Sequence, residues 1–491
     1  MKLKFQMPSN KPGSDHAIHL GIVRRIKSND NKFLTSGILS HNEKNPFYPQ
    51  LFHWCLSYLN VSFIKGRHGF LNRLLYLIQL GFFNFFLFSS SQYFPLTTIE
   101  HLLVNIIYIT FPFSYVLWNS KNAGLSARRI GLILGELFLY SLFFYKLEGK
   151  PWMLVIITCL VLLIILTSQF ATQMALLSAV FFAIFFNSYL LLVTPLLAML
   201  VFYIIMPQVC TNYIRGQYNH KRNYALFLAS IFILKARPSI YQDFLYDFWK
   251  KIKINFRRGC FYVLTNPIIE ALYGFSYLWL ALYMHYFAIQ GEERSDLLIF
   301  SSIGIILFFI TSFRVTRFLG EPQRYMEFFI PIYSLIAIWV LTPNQLFFML
   351  FFNLLLIFVP KYFLRKEQSS EKGRQMKNEV IEQLGVLVGE NPEVICTSNE
   401  HNLAKALGIF DYKICRPDYS VFYKDAHDFN MEYFALDHGK ISPQAISNYM
   451  ESFDLNMIIL NNSIYNSSEL PLLTSWSLEK EIGHYSIYKK N

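Results

Sequence analysis

The chain has 491 residues, of which 54% are hydrophobic, 18% aromatic and 15% charged, with a formal net charge of +12. Soluble domains carry about 25% charged residues, so this composition excludes an ordinary soluble protein and indicates a polytopic membrane protein. Most of the positive charge lies in loops beside apolar blocks, as expected for cytoplasmic anchoring and contact with anionic lipid, and nucleic acid is excluded as a partner.

Residues 1–46 form a polar, basic arm without the apolar stretch of a signal peptide. Lys2, Lys4, Lys11, Arg24, Arg25, Lys27, Lys32 and Lys44 face only Asp15, Asp30 and Glu43 in it. Within the arm, GSDHAIHLGIVRRI (Gly13–Ile26) places one acid, two histidines and two arginines just before the first apolar segment. A carboxylate beside a basic, helix-like run is suited to taking a proton from a hydroxyl while cations hold a phosphate. In that reading Asp15 is the base, Arg24 and Arg25 supply charge, and His16 and His19 orient a substrate or complete a metal site. The plainer reading is that Ser14 or Asp15 caps the helix that starts at His16.

Residues 47–365 read as the transmembrane domain. Blocks at about 49–64, 70–90, 99–119, 129–145, 152–167, 174–206 (long enough for two short helices), 266–288, 297–313, 328–342 and 344–360 give ten or eleven helical spans. Each is long enough for about 30 Å of hydrocarbon, where only helices satisfy their own backbone. The basic stretches Lys65–Arg73 and Ser120–Arg129 are expected inside, which puts the arm outside and, by parity, the Glu321–Tyr325 loop and the C-terminal domain inside. The arm's own positive charge opposes that count. Either the first block does not span, or the charges have a task outside, or a helix precedes Met1.

Between Pro207 and Gly259 lie ten Lys/Arg and two Asp, including the aromatic, basic YQDFLYDFWKKIKINFRR. This stretch, 207–259, reads as amphipathic helices in the headgroup region, either a loop held to anionic lipid or a rim that grips a lipid-linked phosphate. Residues 366–378 (KEQSSEKGRQMKN) are a polar linker, and 379–491 a small α/β domain with strands expected at Val394–Thr397, Met457–Leu460 and Tyr485–Tyr488 and helices at Asn402–Leu407 and Pro443–Phe453. No glycine-rich phosphate loop occurs in it.

The six cysteines show no CxxC spacing, so disulfide and metal readings have no support from them. Glu136 and Glu270 fall inside apolar blocks, where a carboxylate is paired or faces a cavity. His53 and Trp54 read as interfacial packing.

Two stretches carry a family resemblance. SDHAIHLGIVRRI followed by NPFYPQLFHWCLSYL (Asn45–Leu59) resembles the start of the GT-C superfamily of membrane glycosyltransferases, in which a first-loop acid precedes a Tyr-Pro-Pro-like turn. Tyr48 and Pro49 match the turn, and Gln50 stands in place of the second proline. FLGEPQRYMEFFIP (Phe318–Pro331) resembles the family's E-x-x-R-[FY] stretch through Glu321, Arg324 and Tyr325.

The resemblance implies an α-helical polytopic membrane protein with a small C-terminal α/β domain, seated in the bacterial inner membrane with its site on the extracytoplasmic face. It implies transfer of a sugar from a polyprenyl-phosphate carrier to a glycan, lipid or protein acceptor, among membrane lipids. Asp15 would be catalytic, and His16, His19, Arg24, Arg25, Tyr48, Glu321, Arg324 and Tyr325 would bind substrate, with Arg324 on the carrier phosphate. No cofactor is specified, a divalent metal being the candidate. The rivals are a lipid-linked polysaccharide polymerase or ligase, with its chemistry in 207–259, and a transporter or flippase, which would be indifferent to Asp15.

Overall fold

The computed structural model describes residues 14–39, 46, 48–112, 126–223, 249, 252–253, 256, 266–285, 292–313, 316, 319–364, 379–384, 386–387, 394–397, 413–415, 455–463 and 475–491. The chain opens with α1 (Ser14–Ser28) and the short α2 (Leu51–Ser57). The bundle follows as α3 (Val61–Ser89), α4 (Thr98–Thr110), α5 (Ala127–Glu148), α6 (Trp152–Thr167), α7 (Gln169–Phe185), α8 (Val193–Ile205) and α9 (Pro207–Asn223). It continues through α10 (Pro267–Gly274), α11 (Ser276–His285), α12 (Glu292–Ser312), α13 (Gln323–Glu327), α14 (Ile330–Val340) and α15 (Pro343–Leu364). Among the described residues, Val61–Ser89, Ala127–Glu148 and Ser295–Ser312 are long and apolar enough to cross a membrane, and shorter apolar helices fill the bundle between them.

The first apolar block is not a span. Asn60 breaks it, its side chain accepting from Ser62 N at 2.9 Å to start α3, and α2 is seven residues, about 10 Å long against about 30 Å of hydrocarbon. The stretch Lys65–Arg73, expected as a loop, lies in the first turns of α3, where Arg67 departs from helical geometry. The 174–206 block is two helices: Asn187, at φ 51°, turns the chain between α7 and α8. The 266–288 block breaks at Phe275, between α10 and α11.

These corrections change which ends meet. Leu20 and Val23 of α1, Phe52 and Leu56 of α2, Ile64 at the start of α3 and Ala127 at the start of α5 form one apolar cluster. The arm therefore packs beside the heads of α3 and α5. The same end holds α13, since Arg128 reaches Glu327. The opposite end holds Lys146 of α5 with Asp296 of α12, 3.8 Å apart, and Phe94 against Trp339 of α14. Between the ends runs an aromatic core in which Phe86 stacks on Tyr140 and Phe143 on Phe300.

In the C-terminal part, β1 (Val394–Thr397), β2 (Lys413–Cys415), β3 (Met457–Asn461), β4 (Trp476–Ile482) and β5 (Tyr485–Lys490) form one sheet of order β2-β1-β3-β5-β4. The β1 pairings are parallel and those of β5 antiparallel. Val380, Ile381 and Leu384, one helical turn apart, pack with Met457, Ile459 and Ile487. The three strands expected from the sequence are β1, β3 and β5. The expected helices at 402–407 and 443–453, and the 366–378 linker, lie outside the described residues.

Candidate active site

The arm is held by polar side chains used as backbone partners. After α1, Asp30 and Asn31 adopt left-handed backbone, φ 53° and 55°, and the chain folds back. Arg25 Nη1 donates to the carbonyls of Gly37 and Ile38 at 3.0 and 2.6 Å. Gln50 bonds Leu34 in both directions, Nε2 to its carbonyl and Oε1 from its N–H, each 2.8 Å. Trp54 Nε1 donates to the Asn31 carbonyl at 2.8 Å and its ring stacks on Phe33. A proline at position 50 would have neither group that ties Leu34, which is what the departure from the second proline supplies here.

On the inner side of the arm, His19 Nδ1 and His53 Nε2 lie 2.8 Å apart in a hydrogen bond. The rings are stacked, with the Tyr48 ring 5.7 Å from that of His53. Burial, and then His19 beside it, hold the His53 imidazole well below its ordinary value. An imidazole that stays neutral can donate from one nitrogen and accept at the other, which this pairing requires. Beside this pair, Tyr48, Pro49, Gln50, Ile165, Phe202 and Tyr213 border a small, mostly apolar cleft with room for little more than a water.

Next to the arm lies a cluster of charges. Ser126 accepts from Arg128 N at 3.2 Å and caps α5, so Arg128 and Arg129 stand on the first turn, where the helix dipole already attracts anions. Arg128 Nη2 pairs with Glu327 Oε2 at 2.6 Å, the side chains 20% and 9% exposed. Arg324 pairs with Glu321 and lies over the Phe170 ring. Gln323 Nε2 donates to Glu270 Oε2 at 2.6 Å, and Glu270 and Glu321 both lie within electrostatic reach of Arg128. Arg129 Nη1 donates to Gln79 Oε1 at 3.0 Å. Three arginines thus converge from two elements, Arg128 and Arg324 paired with carboxylates and Arg129 with an amide, an arrangement in which an incoming phosphate can exchange for a carboxylate.

The sequence-predicted residues fall into groups. Asp15 and His16 lie in the first turn of α1, and their side chains lie outside the described residues. His19 and Tyr48 meet His53 as described, Arg25 ties the arm, and Arg24 is half-buried on α1. Glu321 and Arg324 enter the charge cluster, whereas the Tyr325 hydroxyl is buried and donates to Gln173 Oε1 and the Leu319 carbonyl, each at 3.0 Å. Sequence reasoning missed Arg128, Arg129, Glu327 and Gln323. The signal available was two arginines in the first turn after a Ser cap at the mouth of an apolar helix, a pattern that charge alone marks only as a topology signal. His53, read as packing, is half of the histidine pair.

The chain shares its fold with ArnT from Cupriavidus metallidurans, whose crystal structure is bound to undecaprenyl phosphate. The two match with a TM-score of 0.53 at 10% identity, over 98% of this chain and 94% of that one. The polytopic fold with a small C-terminal domain implied by the GT-C resemblance is the fold observed. No family model matches the chain, and no curated protein matches it.

Proposed function

We propose that the chain is an integral membrane glycosyltransferase that moves a sugar from a polyprenyl-phosphate carrier to a glycan, lipid or protein acceptor. The observation that carries this reading is the convergence of Arg128, Arg129 and Arg324 beside the α1–α2 arm at one end of the bundle. It is supported by the shared fold with a protein bound to undecaprenyl phosphate. A carrier of this kind needs cations for its phosphate and an apolar surface for its tail, and the bundle presents exposed apolar helix faces, Leu196, Leu200 and Ile204 of α8 among them.

In the proposed reaction the acceptor hydroxyl attacks the anomeric carbon of the sugar. The bond from that carbon to the phosphate oxygen breaks, and the electron pair leaves with the carrier phosphate. The arginines hold the charge that develops there. Asp15, on the first turn of α1, takes the acceptor's proton. The His19–His53 pair and Tyr48 hold α1 on α2 and so place that first turn. Residues 207–259 and the C-terminal domain are read as lipid-contacting and acceptor-shaping parts without a catalytic group, and the site is assigned to the extracytoplasmic face of a bacterial inner membrane. That assignment reverses the charge-based expectation for Lys65–Arg73 and Ser120–Arg129, since the arm packs beside the heads of α3 and α5.

The test uses the full chain in lipid nanodiscs with a polyprenyl-phosphate sugar as donor and a bacterial membrane lipid and glycan extract as the source of acceptor hydroxyls, and scores release of free carrier phosphate. Release by the wild type and none by Asp15→Asn is the expected result. A flippase would be indifferent to that change, and equal activity of the two proteins would sink the assignment.

A further inference from the structure

We infer that Glu136 is a positioning residue that, through Gln79, fixes Arg129 beside Arg128 and thereby sets how tightly the arginine pair at the head of α5 holds an anion. The identity of that anion as a carrier phosphate rests on the proposed function. The relay itself does not.

Arg129 and Glu136 are seven residues apart on α5, about two turns, and so share one face. That face packs against α3. Gln79 of α3 stands between them: its Oε1 accepts from Arg129 Nη1 at 3.0 Å, and its Nε2 donates to Glu136 Oε1 at 2.8 Å. The two neighbours settle the amide's orientation, because a guanidinium can only donate and a carboxylate can only accept. Tyr108 of α4 donates to both Glu136 oxygens at 3.2 Å, and Arg129 lies over the Tyr76 ring, 5.7 Å from its centre.

Glu136 is 2% exposed in the middle of an apolar bundle. A carboxylate there is costly and is retained where it has a task. Its bonds run through one amide to the arginine next to Arg128, so the task these bonds serve is orientation. An unrestrained arginine has several rotamers to lose when it binds an anion, and one already held loses fewer, which raises affinity without a new contact.

The experiment measures binding of undecaprenyl phosphate, and separately of inorganic phosphate, to the full chain in nanodiscs, with melting midpoints recorded for each variant. Gln79→Met is expected to weaken binding by about tenfold, the effect of losing one hydrogen bond to a charged group. Glu136→Leu, which takes away the acceptor that holds Gln79, should weaken binding by about threefold to tenfold, and Glu136→Gln, which keeps a carbonyl acceptor, should recover most of that loss. In an Arg129→Gln background, Gln79→Met should weaken binding no further, because the residue it positions is gone.

The same tenfold loss in both backgrounds would overturn the inference, since a general packing defect acts regardless of Arg129. So would unchanged binding by Gln79→Met or by Glu136→Leu. If Gln79→Met lowers the melting midpoint sharply, Gln79→Leu replaces it in the same cycle. A wild type that binds inorganic phosphate with this pattern but not undecaprenyl phosphate would remove the carrier reading and leave the positioning role standing. Binding of neither would overturn both.

Discussion

Asp15→Asn keeps the shape of the side chain and removes the basic lone pair, so sugar transfer should fall by about a hundredfold to ten-thousandfold while carrier binding persists. Steady-state turnover together with carrier binding separates that result from misfolding, which would lower both. Arg128 belongs to a partly buried pair with Glu327, side chains 20% and 9% exposed. Arg128→Gln should therefore destabilise by about 3 kcal/mol, because it strands a buried carboxylate. The double variant Arg128→Gln/Glu327→Gln should recover most of that stability and none of the carrier affinity. If chemical denaturation found the double variant no better than the single one, the pair would not be the reason for the loss. His53 gives a pH prediction. Its folded-state value is held down by burial and by His19, so the unfolded chain binds the extra proton first. The stability is complete above about pH 6.5 and is lost as pH falls from there toward the folded value. The melting midpoint should drop between about pH 7 and pH 5, and less so in His53→Gln; identical pH slopes for the two proteins would count against the histidine pair as the source.

At the scale of elements, the contact that matters most for the site is between α5 and the segment leaving α13. Gly135 has no Cβ, and one placed there would meet the buried Phe328 ring at 2.5 Å. Phe328 directly follows Glu327 and stacks near Phe170. Gly135→Ala should destabilise by about 1–3 kcal/mol and loosen the Arg128–Glu327 pair along with it. Thermal unfolding in detergent measures the first effect, and an unchanged midpoint would mean that Phe328 moves freely aside. The arm was only partly legible in sequence. The helix starting at His16 follows from local pattern and the Tyr48–Pro49 turn from the family resemblance, whereas Gln50, a departure from that pattern, has its reason in two bonds to Leu34. Asn60 as a cap, which ends the first apolar block, is a local signal that hydropathy averaging hides.

For the whole molecule, removing one crossing from the count brings the arm, the head of α5 and α13 to the same end. α15 then runs back from the far end, where Gln345 approaches Met284 of α11, toward the arm end. Cleavage in the 366–378 linker should leave the helical part inserted, since spans satisfy their own backbone groups, with carrier binding intact and acceptor use reduced. Binding and transfer assays on the cut protein check this. Sugar transfer by the released domain alone would place the chemistry in the domain and overturn the assignment of Asp15.

What the sequence by itself determined is what neighbours along the chain can decide. The charged fraction and the apolar blocks set a helical membrane protein, and short apolar runs set strands at 394–397, 457–460 and 485–488, which form β1 and most of β3 and β5. Glu136 and Glu270 could be singled out because an acid in an apolar helix is locally anomalous. Only the tertiary structure decided their partners. Arg128 and Glu327 are 199 residues apart, Tyr325 and Gln173 are 152 apart, and Gln79 and Glu136 are 57 apart. A basic residue after a helix cap reads the same whether it faces lipid headgroups or a buried carboxylate, because its local pattern is identical in both. The distinction comes from which distant element packs against it, and that is set by the sum of apolar contacts across the bundle rather than by any short stretch of the chain.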